Sequence, residues 1–183
     1  MSLMAFLRSA ILKPGPLMAC WENSKLSAFD IENRKEIKLS VDAEQLTLKP
    51  NQTTEVKRVD IPAADTTVIV AYLDDVQTGE RLARWVSWPE PLKYLQFSKK
   101  LKVSARVEGE AVFFTANCPA IGVVISVPIG EGDGAVFEDN LIDLVPREEI
   151  RVGVKGLNCR RVQTRILCDW ELEEGFELGE MKN

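Results

Sequence analysis

The sequence predicts an all-β protein of two tandem antiparallel β-sandwiches, and three observations carry that prediction. Short apolar or alternating segments recur about every ten residues, with turn residues between them and no sustained helical period in the gaps. The 183-residue length and 45% hydrophobic composition suit one large core or two of under about 100 residues each. Leu48, Pro50 and Val56 recur with identical spacing as Leu144, Pro146 and Val152, 96 residues further on. In each copy a leucine can anchor a corner and a proline fixes the chain direction two residues later. A polar turn follows, and then a strand re-enters the core.

The elements follow in order. Residues 1–3 read as an expression scar, and residues 4–12 as a helical remnant of two turns that Lys13, Pro14, Gly15 and Pro16 stop, so residues 1–15 are expected to lie outside either sandwich. Strand signals come next at 17–21 and 26–31, and at Ile37, Leu39 and Val41, which alternate with polar neighbours as a half-buried strand does. Thr67, Val68, Ile69, Val70, Ala71, Tyr72 and Leu73 form an almost continuous apolar run suited to a central strand. Gln77, Thr78 and Gly79 then turn the chain into a hairpin partner at 81–88. Trp88, Pro89, Glu90 and Pro91 break the pattern and mark the link between a first domain at 16–92 and a second at 93–183. Beyond it, Leu101, Val103, Ala105 and Val107 alternate with polar residues, and strands are expected at 111–116, 121–127, 150–154 and 162–167.

Composition excludes several kinds of chemistry. No histidine is present, so a Ser-His-Asp triad, a Cys-His pair, a histidine proton shuttle and most zinc sites are ruled out within the chain. Cys20, Cys118, Cys159 and Cys168 form no CxxC pair and read as small buried hydrophobes; a disulfide such as Cys118 with Cys159 would require an oxidising compartment. The balance of 23 basic to 28 acidic residues, net −5, argues against nucleic acid as a partner. No apolar run approaches the roughly 18 residues that span a bilayer, and Arg8 interrupts the apolar N-terminus where a signal peptide would be continuous. A soluble protein with no membrane partner is expected.

Three features invite functional readings. Glu131, Asp133, Glu138, Asp139, Asn140 and Asp143 form an acidic, glycine-bearing loop, but its spacing departs from that of a calcium loop. No metal or cofactor is therefore assigned, and Asp139, Asn140 and Asp143 are expected to bond the turn backbone instead. Trp85, Trp88, Tyr94 and Phe97 suit either a sugar-stacking platform or apolar cement between two sandwiches, and cement is the preferred reading. Asn51, Gln52 and Thr53 form a glycosylation sequon in the first corner, which only passage through a secretory pathway would put to use.

The segment carrying Phe137, Asp139, Asn140, Asp143, Leu144, Pro146 and Glu148, ahead of Val152 and Val154, resembles the C-terminal immunoglobulin-like domain of the β-mannosidases of glycoside hydrolase family 2. The resemblance extends over about residues 16–168. Residues 22–34 match poorly, and Arg147 stands where a glycine commonly follows the corner proline. It implies immunoglobulin-like sandwiches that serve as the non-catalytic accessory end of an enzyme hydrolysing terminal β-linked mannose with retention. The two catalytic glutamates of such an enzyme belong to a (β/α)8 barrel, so no catalytic residue carries over. The barrel of the parent chain is then the expected partner, and a mannose-containing glycan is met only through it. An apolar patch left by the barrel would let the isolated chain form a homodimer. The rival reading is a free-standing carbohydrate-binding or adhesion module. The compartment stays open between cytoplasm and a secretory or lysosomal route.

Overall fold

The structure, a computed structural model, describes residues 2–7, 17–21, 26–32, 35–39, 44–48, 54–61, 63, 65–75, 77–89, 91–128, 134–157 and 161–167. Nearly all regular structure among them is strand, as the sequence predicts. The chain divides into two compact units, one comprising Met1–Asp30 and Lys35–Leu95, the other Ile31–Arg34 and Gln96–Asn183.

The first unit opens with β1 (Ser2–Leu7), antiparallel to β6 (Thr54–Asp60). This corrects the expected helix: residues 4–7 lie in a strand, with Ser2 and Leu3 in the same ladder, and residues 8–12 fall outside the described residues. Ser2, Leu3, Met4, Ala5, Phe6 and Leu7 carry no charge, and a strand lets such an apolar run pair along a sheet where a two-turn helix would remain marginal. The other sheet holds β2 (Leu17–Trp21), β3 (Leu26–Asp30), β4 (Glu36–Ile37), β5 (Glu44–Leu48), β7 (Thr67–Asp75) and β8 (Arg81–Ser87), in the order β4-β3-β7-β2-β5 with β8 on β7. Strand β7 is its centre. Val68, Val70 and Tyr72 on one face and Ile69 and Leu73 on the other are all buried, which is why its sequence is apolar without alternation. Ile69 and Leu73 join Leu26 and Ala28 in the core, with Val59 of β6, Ala71 and Leu82 packed against them.

Asp75 shapes the hairpin between β7 and β8. Its carboxylate accepts hydrogen bonds from the backbone N–H groups of Gln77 at 2.7 Å and Thr78 at 2.8 Å, and Gly79 takes the positive φ of 70° that the turn requires. The Thr78 bond, followed by that of Gln77, holds the Asp75 carboxyl below its ordinary value. Beyond β8, Leu92–Tyr94 form one 3-10 turn.

The second unit is a sandwich of a four-stranded sheet on a three-stranded one. The first contains β9 (Val103–Glu108), β10 (Ala111–Ala116), β12 (Val136–Phe137) and β14 (Glu149–Lys155), in the order β12-β14-β10-β9. The second contains β11 (Ala120–Ser126), β13 (Ile142–Leu144) and β15 (Gln163–Ile166), in the order β13-β11-β15. Phe114, Val112, Val152 and Val154 from one sheet meet Val123, Ile125, Ile142 and Leu144 from the other, with the Cys118 side chain buried beside them. This face-to-face burial of alternating residues is the energetic basis of the unit. On the four-stranded sheet's outer face Arg106 bridges to Glu108 and Glu149 and lies 4.8 Å from the Phe113 ring centroid, covering that ring with charge.

The 96-residue echo is a structural repeat. The ladder of β11 with β15 pairs Val123, Val124, Ile125 and Ser126 with Ile166, Arg165, Thr164 and Gln163. The ladder of β3 with β7 pairs Ser27, Ala28, Phe29 and Asp30 with Val70, Ile69, Val68 and Thr67, the same register at the same offset. Leu48 closes β5 and Leu144 closes β13, and Val56 lies in β6 as Val152 does in β14, so the matched residues flank a change of sheet in both units.

Candidate functional site

The corner that dominates the sequence begins in the four-stranded sheet, where Phe137 pairs with Val154 and the Glu138 N–H donates to the Gly153 carbonyl at 2.8 Å. The chain then crosses to the three-stranded sheet. The Asn140 side chain makes the crossing by taking the place of a strand neighbour: its Oδ1 accepts from the Ile125 N–H at 2.7 Å and its Nδ2 donates to the Ile125 carbonyl at 2.9 Å. Asn140 Oδ1 also accepts from the Leu141 N–H, and Asp139 Oδ1 accepts from the Asn140 N–H. Asp143 Oδ1 accepts from the Gly122 N–H at 2.8 Å.

The Asp143 bond falls where the backbone ladder slips, and the Asn140 bonds lie beyond its last pair, Val123 with Ile142. Between Ala120 and Val123 the pairing of β11 with β13 shifts register, and Gly122 sits in that bulge at a φ of 60°. A carboxylate and an amide supply the bonds that the regular ladder would have made. Leu144 and Val145 are buried after the crossing, Pro146 bridges to Ala116, and the chain returns as β14. Arg147 adopts a φ of 66°, the left-handed geometry that explains why glycine commonly occupies its place in the resembled family. Leu141 is left-handed too, at 59°, and it is 55% exposed.

Among the described residues no group of three or more Cys, Asp or Glu is placed to hold a metal ion. Glu131 and Asp133 of the acidic loop, and Asn51 of the sequon, lie outside the described residues. The aromatic residues differ in setting. Trp85 on β8 and Tyr94 in the 3-10 turn are each 69% exposed, Trp88 is half-buried, and Phe97 packs on the core of the second unit. The Lys93 ammonium lies 4.7 Å from the Tyr94 ring centroid, so one face of that ring already carries a cation.

Sequence reasoning missed Asn117. Its Oδ1 accepts from the Lys102 N–H at 2.7 Å and its Nδ2 donates to the Lys100 carbonyl at 2.8 Å, tying down the approach to β9. An asparagine directly after the apolar strand at 111–116 was the available signal.

Residues 23–94 match the family profile described as a mannosidase Ig/CBM-like domain. Those residues belong to the immunoglobulin-like domains found in β-mannosidases. The match begins at 23 and so takes in most of the poorly matching stretch 22–34. Beta-mannosidase B of Thermothelomyces thermophilus is 36% identical over 152 residues, 78% of this chain and 17% of that protein. Beta-mannosidase B of Emericella nidulans is 32% identical over 139 residues, 73% of this chain and 16% of that protein. The crystal structure of the β-D-mannosidase from Dictyoglomus thermophilum superposes with a TM-score of 0.57 at 12% identity, covering 86% of this chain and 20% of that one, which supports the fold. The chain thus spans about a sixth of the length of the curated β-mannosidases it matches.

Proposed function

We propose that this chain is the non-catalytic C-terminal region of a longer β-mannosidase, with limits near residues 92 and 93 between its two sandwiches and β1 included in the first. The observation that carries the reading is identity to beta-mannosidase B across most of this chain but only 17% of that enzyme. The corner from Phe137 to Pro146 serves the fold in this reading, because the polar atoms of Asn140 and Asp143 are spent on backbone partners. Hydrolysis of terminal β-linked mannose with retention belongs to a (β/α)8 barrel elsewhere in the longer enzyme, which these domains buttress. Retaining hydrolysis requires two carboxyl groups about 5 Å apart across a sugar-sized cleft. The test is turnover of a chromogenic β-mannoside: the longer enzyme is active and the purified 183-residue chain is not. Turnover by the chain alone would overturn the proposal.

A second reading, a carbohydrate-binding role, draws on the exposure of Trp85 and Tyr94. It calls for saturable quenching of tryptophan fluorescence by mannose oligosaccharides, abolished by Trp85→Ala; a linear, non-saturating response counts against it.

A further inference from the structure

The repeat reveals a gap in the first sandwich. Strand β6 corresponds to β14 at the 96-residue offset, and each has one long antiparallel partner, β1 and β10 respectively. Phe6 and Leu7 pair with Glu55 and Thr54, just as Phe113 and Phe114 pair with the residues 96 further on, Arg151 and Ile150. The far edge of β10 is covered by β9 through a two-residue turn at Gly109 and Glu110. Among the described residues β1 pairs with β6 alone, and none of them occupies the place equivalent to β9.

Two further observations converge on that place. In the second unit the corner from β13 to β14 sets those strands on the same side of the sandwich, and β10 also lies close to β13. Within their sheets β15 lies across β11 from β13, and β9 lies across β10 from β14. Transferred to the first unit, the same order puts β7, with β8 beyond it, beneath the open edge of β1. There Trp85 pairs across the ladder with Ala71, which packs on the core, so Trp85 stands on the core-facing side of its sheet yet is 69% exposed. Ala83, opposite the buried Leu73, is exposed on the same side. The edge itself is unguarded: Ser2, Leu3, Met4, Ala5, Phe6 and Leu7 include none of the lysines, glutamates or prolines that protect a free strand from pairing.

We infer that the open edge of β1 and the uncovered Trp85 form a slot for one more extended antiparallel strand, supplied by the polypeptide directly upstream of β1 in the longer β-mannosidase. The inference rests on the reading of this chain as part of such an enzyme. The β9–β10 hairpin shows that the cis connection needs only a tight turn. Main-chain bonds along β1 would provide the affinity, and the apolar face of the incoming strand would cover Trp85 and Ala83.

Hydrogen exchange and hydroxyl-radical labelling, each read by mass spectrometry on the 183-residue chain and on the longer enzyme, test it. In the longer enzyme exchange along Ser2–Leu7 is expected to slow by about tenfold or more and labelling of Trp85 to fall several-fold. Equal exchange and equal labelling in the two forms would overturn the assignment. It would also be overturned if protection of β1 were already present in the 183-residue chain and rose with concentration alongside a dimer in sedimentation equilibrium, since the strand would then come from a second copy. Activity on a β-mannoside is scored separately, so an active longer enzyme with an unprotected β1 sinks the strand slot alone.

Discussion

The two sandwiches share a register and differ in how one strand is built. In the second, β11 runs continuously and pairs with both β13 and β15, absorbing its misfit in the Gly122 bulge. In the first the same work is divided, with β2 pairing to β5 and β3 to most of β7. In the second unit Asp143 bonds the backbone of β11 where the ladder slips, and Asn140 bonds it past the last pair of that ladder. The equivalent positions in the first carry Glu44 and Thr47, so the repeat does not extend to this device. A repeated ladder can therefore outlast the particular side chains that mend it.

The largest test breaks the better-covered core. Phe114 is fully buried in β10, and Phe114→Ala should destabilise the second sandwich by about 3–5 kcal/mol, read as a drop in the denaturation midpoint and in amide protection of β10 and β14. Asn140→Ala removes both bonds to Ile125 and should cost about 2 kcal/mol, with faster exchange at the Ile125 amide; Asp143→Ala should cost about 1 kcal/mol. An unchanged midpoint in both variants would show that the bulge holds without its side-chain clasp. Arg147→Gly removes a left-handed non-glycine residue and should raise stability by about 0.5 kcal/mol, after the added freedom of glycine in the unfolded chain is set against the relief.

The smallest effect belongs to the first sandwich and depends on pH. The folded pKa of Asp75 is depressed, so its contribution is fully present above the ordinary carboxyl value of 3.8 and is lost as pH falls through the lower folded value. Acid titration of Asp75→Asn beside the parent chain should remove that part of the stability decline. Identical acid profiles would count against the turn bonds.

Much of this was legible in sequence. The β2 and β10 limits coincide with those expected, the apolar run of β7 announced a strand buried on both faces, and the corner repeat predicted a common topology. Strands β12 and β13 escaped because two or three residues are too few to show a period, β5 was passed over although Leu46 and Leu48 alternate with polar residues in it, and β1 was misread because its uniformly apolar run fits either geometry.

What the sequence determined by itself was the fold class, the absence of histidine chemistry and the place of the repeat, all of which follow from local alternation and residue counts. Tertiary structure alone decided which main-chain groups Asn140 and Asp143 bond, that Arg147 is left-handed, and that β1 pairs with β6. Each depends on strands far apart in the chain meeting in a particular register, and one chain's periodicity does not encode which partner fills its hydrogen bonds.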